Sequence, residues 1–365
     1  MIYTIYPNID ATIYEKTESL NTGIDSILEL SHERTTSSTV AYNSRILMKF
    51  DMANITDKIS AGKIPTSSNY YLSLRISEVK EIPQEYTVYV HPLSGSWTNG
   101  TGHYASRPSI TDGVSWKYKS SKNLGIQWDP SQSLSVDSTG SYSAKNGGGV
   151  WWNNNLLTCT QSFSYESSDM YMNVTPIINE WISGSIQNDG LIIKFSDELE
   201  QIATYLPNLK FFSTDSNTIY VPRLNVVWDD SKFLTGSLKS VSLDNTVLNV
   251  KLKKYYSQDE KAKIRIYGNT RYPQKNYATS SYQTINYYLP SSSYYEIRDA
   301  HTDEVILPFD YTGSKISCDP TSSYFNLWMN SFQPERFYRI LIKMETDGGD
   351  NVQIFDNNYY FKVTR

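Results

Sequence analysis

Alternation of hydrophobic and polar residues is the dominant pattern along this 365-residue chain. Within residues 70–77, Tyr70, Leu72 and Leu74 fall on one face of an extended strand, and the serines and arginine between them fall on the other. A period of two residues is what a β-strand with one buried side requires. The same alternation recurs in residues 46–50, 86–90, 191–195, 224–228, 248–253, 263–266 and 338–344. The pattern therefore predicts an all-β fold.

One short helix is predicted in the N-terminal half, over residues 173–184. Thr175 is placed to cap its first turn, Pro176 to occupy the first helical position and Gly184 to end it. The apolar stripe of this helix consists of Ile177, Ile178, Trp181 and Ile182. A helix with one apolar stripe can close the open end of a β-sandwich.

The alternation stops between about residues 95 and 168, where Gly, Ser, Asn and Trp predominate, and this change predicts a long loop insertion. Strand patterns resume beyond residues 229–236, and a chain of this length exceeds what one hydrophobic core usually organises. We therefore expect two domains. Residues 1–229 are predicted to form an elaborated, jelly-roll-like β-sandwich with one short helix, and residues 237–365 an immunoglobulin-like β-sandwich. The turn at residues 347–350 separates two of its last strands.

Composition narrows the classes of partner. Aromatic residues make up 14% of the chain, with 30 Tyr, and only 19% of residues are charged, which favours strands and contact surfaces. The formal net charge of -5 lacks the basic surplus of a nucleic-acid-binding protein, and no segment is apolar enough to predict a membrane span. The first residues lack the basic and apolar regions of a secretory signal, which predicts another way out of the cell, such as release of virions by lysis. Cys159 and Cys318 are predicted to be free thiols.

Catalytic and metal-binding motifs are not found. The four histidines, His32, His91, His103 and His301, have no zinc-ligand spacing, and no nucleophile elbow or phosphate-binding loop is present. We expect no metal, no cofactor and no catalytic residues. Glycoside hydrolysis needs two carboxylates, and the loop insertion contains four: Asp112, Asp129, Asp137 and Glu166. They are predicted to be surface turn residues, and the alternative is that they are catalytic groups of a depolymerase.

Aromatic residues among Asn, Gly and Ser make the loop insertion the candidate contact region. The candidate contact residues are Trp97, Tyr104, Trp116, Trp128, Trp151 and Trp152, with Tyr118 nearby. Three interpretations are open: the rings pack the loops down as a satellite core, they form a subunit interface, or they stack on a glycan. A second group, Lys251, Lys253, Lys254, Lys261, Lys263 and Arg265, alternates with apolar residues on two neighbouring strands. It predicts a solvated sheet face, with lysines that discourage pairing at an edge.

Several short motifs are shared with a known module. They are Asp-Ala-Thr at 10–12, Asn-Thr-Gly at 21–23, Ser-Arg-Ile-Leu-Met-Lys-Phe-Asp at 44–51, Asn-Val-Thr at 173–175, Trp181, Gly184 and Asn-Asp-Gly-Leu at 188–191. In this combination, residues 3–228 resemble the DNRLRE-type β-sandwich module of bacterial surface and secreted proteins and of phage virion proteins. The C-terminal half is similar in style to domains of tailed-phage structural proteins, at residues 295–300 and 361–365. The resemblance implies a β-sandwich fold in the N-terminal half.

These observations lead to a first hypothesis of a non-enzymatic structural protein of a tailed bacteriophage virion, in the neck, collar or tail exterior. Its partners would be other virion proteins, and each particle would contain several copies. Assembly would take place in the host cytoplasm. The alternative is a carbohydrate-binding module of a bacterial surface or secreted protein, with a surface glycan as ligand.

Overall fold

The computed structural model describes residues 1–34, 41–80, 85–128, 147–152, 155–164, 169–201, 207–241, 246–272 and 287–365. These residues form several β-sheets with few helical turns, which confirms the predicted all-β class. The chain divides into two compact units. We call Ile5–Asn225 the N-terminal unit, and Met1–Thr4 together with Val226–Arg365 the C-terminal unit.

The N-terminal unit is built on one large sheet and one small sheet. Its strands are β2 (Pro7–Tyr14), β3 (Ile27–Arg34), β4 (Ala41–Phe50), β5 (Asn69–Leu74), β6 (Ile76–Lys80), β7 (Glu85–Pro92), β8 (Cys159–Ser164), β9 (Met170–Asn173), β10 (Leu191–Phe195) and β11 (Asn208–Phe212), whereas β1 (Ile2–Ile5) and β12 (Arg223–Val227) each cross the division between the units. The large sheet has the order β6-β11-β3-β4-β10-β7-β8, with β2 also paired to β4. In the small sheet, β5 lies between β12 and β9.

Helical turns connect these strands. In the described residues the α-helices are α1 (Ala53–Ser60), α2 (Thr175–Ser183) and α3 (Asp197–Gln201). Helix α2 is the predicted one, and it ends at Gly184, whose φ of 77° is accessible to glycine. The predicted cap is wrong, because Val174 and not Thr175 occupies the N-cap position, and Val174 makes no side-chain bond. The Thr175 hydroxyl instead accepts the amide of Tyr70 at 2.8 Å. Helices α1 and α3 were not predicted.

The large sheet is buried on both faces at its centre. Leu47 of β4 is fully buried, as are its flanking neighbours Ile46 and Met48, whose side chains point to the opposite face. Leu47 pairs with Ala11 on β2 and with Ile192 on β10, which are fully buried as well. Part of the loop insertion covers this second face, since Ala11, Leu47 and Ile192 share one hydrophobic cluster with its tryptophans.

Strand β8 lies inside the segment that was predicted to consist of loops, residues 95–168. It pairs antiparallel with β7, from Glu85 opposite Ser164 to Val90 opposite Cys159. Its sequence, Cys-Thr-Gln-Ser-Phe-Ser, carries little hydrophobic alternation, so the sequence pattern did not reveal it. The hydrogen-bonded pairing with β7 at the edge of the sheet therefore stabilises this strand, rather than an apolar face of its own.

The C-terminal unit contains two sheets that pack against each other. Its strands are β13 (Lys239–Ser240), β14 (Thr246–Lys251), β15 (Tyr255–Ser257), β16 (Lys261–Thr270), β17 (Tyr287–Tyr288), β18 (Ser293–Asp299), β19 (Val305–Leu307), β20 (Ser317–Cys318), β21 (Ser323–Trp328), β22 (Phe337–Thr346) and β23 (Asn351–Thr364). One sheet has the order β13-β17-β16-β21-β20 with β14 paired to β16, and the other the order β15-β23-β22-β18-β19. The Tyr295 ring of one sheet stacks on the Phe325 ring of the other, 4.1 Å between centroids, as in a β-sandwich.

The predicted turn after β22 is present at Asp347–Gly349. Beyond the turn the chain forms one long strand, β23, which is interrupted by a bulge. Ile342 pairs with Phe355 and Ile340 with Tyr359, so residues 356–358 stand opposite Leu341 alone. Asn358 has a φ of 56° there, a conformation that asparagine tolerates.

Residues 1–4 join the C-terminal unit through specific hydrogen bonds. The amide of Trp228 donates to the carbonyl of Met1 at 3.0 Å, and the amide of Thr4 donates to the Ser331 hydroxyl at 3.1 Å. The Asn330 amide group donates to the Tyr3 hydroxyl at 3.0 Å. The main body of this unit thus begins at Val226, and Met1–Thr4 are added to it from the other end of the chain.

Both cysteines, Cys159 and Cys318, are buried and free, which confirms the prediction. Among the helices of the described residues, none has the length and apolar character needed to cross a membrane.

Candidate functional site

The buried side chain of Asn21 fastens one part of the loop insertion to the rest of the N-terminal unit. Its amide nitrogen donates to the carbonyls of Asn99 at 2.6 Å and Val114 at 2.8 Å, and its amide oxygen accepts the backbone N–H of Gly102 at 2.8 Å. Asn21 has no exposed surface. Because a buried amide without partners is costly, these bonds hold the loop at residues 99–114 against the Asn-Thr-Gly turn in one arrangement.

Glycines make this close approach possible. A Cβ on Gly102 would lie 2.2 Å from the carbonyl oxygen of Asn21, and a Cβ on Gly113 would lie 2.4 Å from the carbonyl oxygen of Asn99. Neither distance is compatible with a side chain, so backbone meets backbone here. The glycines of the insertion therefore have a packing role.

Four of the candidate contact residues are buried beneath the loops. Trp97, Trp116, Trp128 and Trp151 are 6%, 3%, 3% and 7% exposed, and they pack with the second face of the large sheet. The indole N–H of Trp97 donates to the carbonyl of Asp189 at 2.9 Å, and that of Trp128 donates to the carbonyl of Ser115 at 3.0 Å. The satellite-core interpretation describes these four residues, which offer little ring surface to a ligand.

Arg45 packs against two tryptophans of this core. Its guanidinium carbon is 4.9 Å from the ring centroid of Trp116 and 5.1 Å from that of Trp151. One terminal nitrogen donates to the carbonyl of Gly148 at 2.7 Å, and the other two nitrogens bind the carboxylate of Glu200. Arg45 thus joins β4, α3 and the loop insertion by stacking and by hydrogen bonding.

Lys194 is a second buried cation, with 2% of its side chain exposed. Its ammonium donates to the carboxylate of Asp197 at 2.6 Å and to the carbonyl of Phe195 at 2.8 Å, and it lies 3.4 Å from a carboxylate oxygen of Glu200. The group Arg45, Lys194, Asp197 and Glu200 therefore has two positive and two negative charges. Such pairing is what permits charged groups to be buried.

His91 lies beside this charged group and contacts Trp151, with 5.8 Å between ring centroids. Burial, together with the nearby charges of Lys194 and Arg45, lowers the pKa of His91 to about 3. The imidazole is therefore neutral at physiological pH. Its Nδ1 lies 3.3 Å from the Thr158 hydroxyl, so one ring nitrogen is engaged in the fold.

The other described histidines and Asp112 form no metal-binding cluster. His32 bonds to the Asn43 side chain at 2.7 Å, and His103 and His301 are exposed at separate places. Asp112 accepts the amide and hydroxyl of Thr101 at 2.9 and 2.6 Å; partial burial opposes its ionisation, but these bonds outweigh it and hold its pKa below the ordinary value. Asp129, Asp137 and Glu166 lie outside the described residues. Among the residues the structure does describe, no three His, Cys, Asp or Glu side chains come together as metal ligands.

Two of the six candidates remain accessible. Tyr104 is 47% exposed, its ring centroid lies 4.9 Å from that of Tyr14, and its amide donates to the Asp25 carboxylate at 2.8 Å. Trp152 is half-buried, and its amide donates to the carbonyl of Pro92 at 2.9 Å. Both side chains are therefore presented on backbone that the fold holds in place.

A shallow groove of about 470 Å³ opens on the same unit, between the turn at residues 17–20 and the loop insertion. The side chains that line it are Thr17, Glu18, Ser19, Leu20, Ser109, Lys117, Tyr118 and Lys122. The Lys117 ammonium lies 6.0 Å from the centroid of the half-buried Tyr118 ring. Hydroxyls, two lysines and one aromatic ring in a groove are groups that can bind a polar ligand.

Sequence reasoning missed Arg45, Lys194 and Glu200 as a group. The signal that could have found them is the continuous apolar stretch on either side: residues 46–48 and 191–193 are hydrophobic at every position. A strand that is apolar on both faces is covered on both faces. The polar residues next to such a strand are then expected to need buried partners.

Comparisons with known proteins add little. No family model matches the chain, and no curated protein matches it. Among solved structures, the chain is similar to a β-glucuronidase of Parabacteroides merdae, with 9% identity over 96% of this chain and a TM-score of 0.16. The match spans 36% of the glucuronidase chain, and a TM-score this low supports no inference about fold or activity.

Proposed function

We propose that this chain is a non-catalytic docking protein whose N-terminal unit presents a fixed loop surface to a protein partner. The observation that carries the proposal is the burial of Trp97, Trp116 and Trp151, the last two against Arg45, because it fixes the described part of the Gly- and Ser-rich insertion on the sheet. Loops that are ordered before binding lose little conformational entropy when a partner docks. Accessible aromatic side chains on such loops are the groups that interfaces favour.

The setting that we propose is the exterior of a tailed-bacteriophage virion, in the neck, collar or tail, with other virion proteins as partners. It is supported by the resemblance of residues 3–228 to a module that occurs in virion proteins and by the tyrosine-rich composition. Several copies per particle would multiply weak individual contacts. Tyr104 and Trp152 are the residues that we expect to contact the partner.

The test is mass spectrometry of purified particles from lysates that contain this chain. The proposal predicts that the chain co-purifies with particles, and that Tyr104→Ala combined with Trp152→Ala lowers its incorporation. Tyr360→Ala is the matched control, since Tyr360 is 42% exposed, against 47% for Tyr104, but belongs to the C-terminal unit. A chain found free in the medium and absent from particles would contradict the virion setting.

The alternative is a carbohydrate-binding module of a bacterial surface or secreted protein. The groove at Tyr118 favours it, because this aromatic side chain lines the groove together with hydroxyl groups, Lys117 and Lys122. A glycan array with the wild type and with Tyr118→Ala distinguishes the two functions. Glycan binding that Tyr118→Ala abolishes supports the alternative, and an array without any binding by the wild type counts against it.

A further inference from the structure

The outer face of the C-terminal unit's six-stranded sheet carries a line of cations. On β16, Ala262, Ile264 and Ile266 are buried, and the alternate residues Lys261, Lys263 and Arg265 point to the other face. Both lysines are exposed and Arg265 is half-buried. Alternate residues of one strand are about 6.8 Å apart, so the three cations form a regularly spaced row.

Neighbouring strands extend this row into a surface. Lys251 of β14 pairs with Arg265 on one side, and Tyr324 of β21 pairs with Arg265 on the other. Trp328 of β21 stands opposite Lys261. The strands β14, β16 and β21 contain no acidic residue, although the whole chain has a net charge of -5. The positive charge of this face is therefore a local departure from the rest of the molecule.

Aromatic rings hold the lysines on this face. The Lys263 ammonium is 3.6 Å from the centroid of the Tyr324 ring, and the Lys261 ammonium is 4.6 Å from that of Trp328. Cation–π contacts of this kind restrict a lysine side chain to fewer conformations. The ammonium groups are therefore already positioned, and the ring faces beneath them are covered.

One carboxylate from the unit itself shows what these cations can bind. Asp319 accepts two bonds from the Arg265 guanidinium, each 2.9 Å long, and one from the Lys263 ammonium at 2.8 Å. The Arg265 and Lys263 bonds hold the pKa of Asp319 well below its ordinary value, although partial burial opposes them. The guanidinium of Arg265 thus binds both oxygens of a carboxylate through its two terminal nitrogens.

We propose that this face, made of Lys251, Lys261, Lys263 and Arg265 with Tyr324 and Trp328, binds a carboxylate-bearing polysaccharide such as a cell-surface uronate polymer. A linear polymer with one anion per repeat complements a row of cations along a strand. The face belongs to the C-terminal unit and uses no residue of the docking surface, so this inference is independent of the function proposed above.

Nucleic acid is the competing polyanion, and the face suits it less well. Single-stranded nucleic acids bind through bases stacked on open aromatic rings, whereas here lysines lie over both rings. The net charge of -5 also opposes the long-range attraction that nucleic-acid binding uses. The observations therefore favour the acidic polysaccharide.

Titration calorimetry of the full chain with polygalacturonate tests the proposal, with neutral dextran and an oligothymidylate as comparison ligands. We expect binding of polygalacturonate that weakens as salt is raised, and no binding of dextran. Lys251→Gln combined with Lys261→Gln should reduce the affinity by about tenfold, because each substitution removes one exposed ion pair with the polymer. The matched control is Lys16→Gln combined with Lys63→Gln, two exposed lysines of the N-terminal unit, which should leave the affinity unchanged.

A second variant separates a binding role from a structural one. Asp319→Asn keeps an oxygen that accepts the amides of Thr321 and Ser322 but removes the charge that occupies Arg265 and Lys263. The proposal predicts that this variant binds polygalacturonate more tightly than the wild type does. A purely structural role of Asp319 predicts no increase in affinity. The proposal is overturned if the wild type binds none of the ligands, if it prefers the oligothymidylate, or if both lysine pairs reduce affinity equally. Melting curves confirm that each variant is folded.

Discussion

Arg45 binds Glu200 through two parallel hydrogen bonds, from Nε to one carboxylate oxygen at 3.1 Å and from a terminal nitrogen to the other at 2.7 Å. The two side chains are 7% and 6% exposed, so the pair is almost completely removed from water. It joins residues that lie 155 positions apart in the chain. Removing one partner of a buried ion pair leaves the other charge without compensation.

We therefore predict that Glu200→Ala lowers the free energy of unfolding by about 3 kcal/mol. Glu198→Ala is the control, because Glu198 lies on the same helix, α3, but is exposed. Urea unfolding followed by tryptophan fluorescence measures both, and the buried indoles around Arg45 make that signal sensitive to this region. Equal stability of the two variants would show that the pair has no such role.

Asp10 predicts a pH dependence of stability. Burial raises the pKa of Asp10 to about 6, even though the amide and hydroxyl of Thr214 donate to it at 2.9 and 2.7 Å. The folded state therefore binds a proton at Asp10 more tightly than the unfolded state does, because the pKa of an unfolded Asp is near 3.9. The contribution of Asp10 to stability is therefore greatest below about pH 4 and is lost as the pH rises through 6.

The wild type should lose about 2–3 kcal/mol of unfolding free energy from this group between pH 4 and pH 7, and Asp10→Asn should lack that component. Unfolding measured at several pH values checks the slope. Asp57→Asn, at an exposed position of α1, should retain the wild-type slope. An Asp10→Asn variant whose pH profile matches that of the wild type would contradict the prediction.

Gly102→Ala should disturb the attachment of the loop insertion. The new Cβ would approach the Asn21 backbone to 2.2 Å, so the loop must move and the hydrogen bond from the Gly102 amide to Asn21 must lengthen. We expect a loss of stability of about 2 kcal/mol or more and faster hydrogen exchange at residues 99–114.

Gly62→Ala serves as the comparison for that variant. Gly62 has a φ of 66° and open space around it, so alanine there introduces backbone strain of about 1 kcal/mol without a clash. Hydrogen exchange at residues 99–114 should be unchanged. If both variants gave the same exchange pattern, the close packing at Asn21 would not be what holds the loop.

Both cysteines should be unreactive in the folded protein. Burial raises the pKa of the Cys159 thiol to about 11, and burial also raises that of Cys318. Because the thiolate is the reactive form, a chromogenic disulfide reagent at pH 8 should label neither residue until the protein is unfolded in urea. Rapid labelling under native conditions would show that one of the strands β8 or β20 opens easily.

The period-two pattern predicted the strands and their buried faces well, because a half-buried strand must alternate. Tyr70, Leu72 and Leu74 are buried as expected, and so are Ile264 and Ile266. The pattern did not predict that the strand would break at Arg75, where the chain leaves the small sheet for the large one. Asp169 fixes this change of direction by accepting from the Arg75 guanidinium at 2.5 Å and from the amide of Ile76 at 2.8 Å.

The candidate site was less predictable, because alternation assigns polar residues to solvent. Lys194 lies between two buried apolar residues and was expected on an open face, yet it is 2% exposed. The reason is tertiary: the loop insertion folds back over the sheet and covers that face with Trp151 and its neighbours. Long-range coverage of this kind leaves no local signal at the lysine itself.

The attachment of Met1–Thr4 to the C-terminal unit has a consequence for folding during synthesis. Trp228, Asn330 and Ser331, to which these residues bond, are made more than 200 residues after them. The C-terminal unit therefore cannot assemble completely until both of these distant segments have been made, and its slowest step is expected to be this closure between distant parts of the chain. The N-terminal unit, whose residues are all made earlier, is free to fold first.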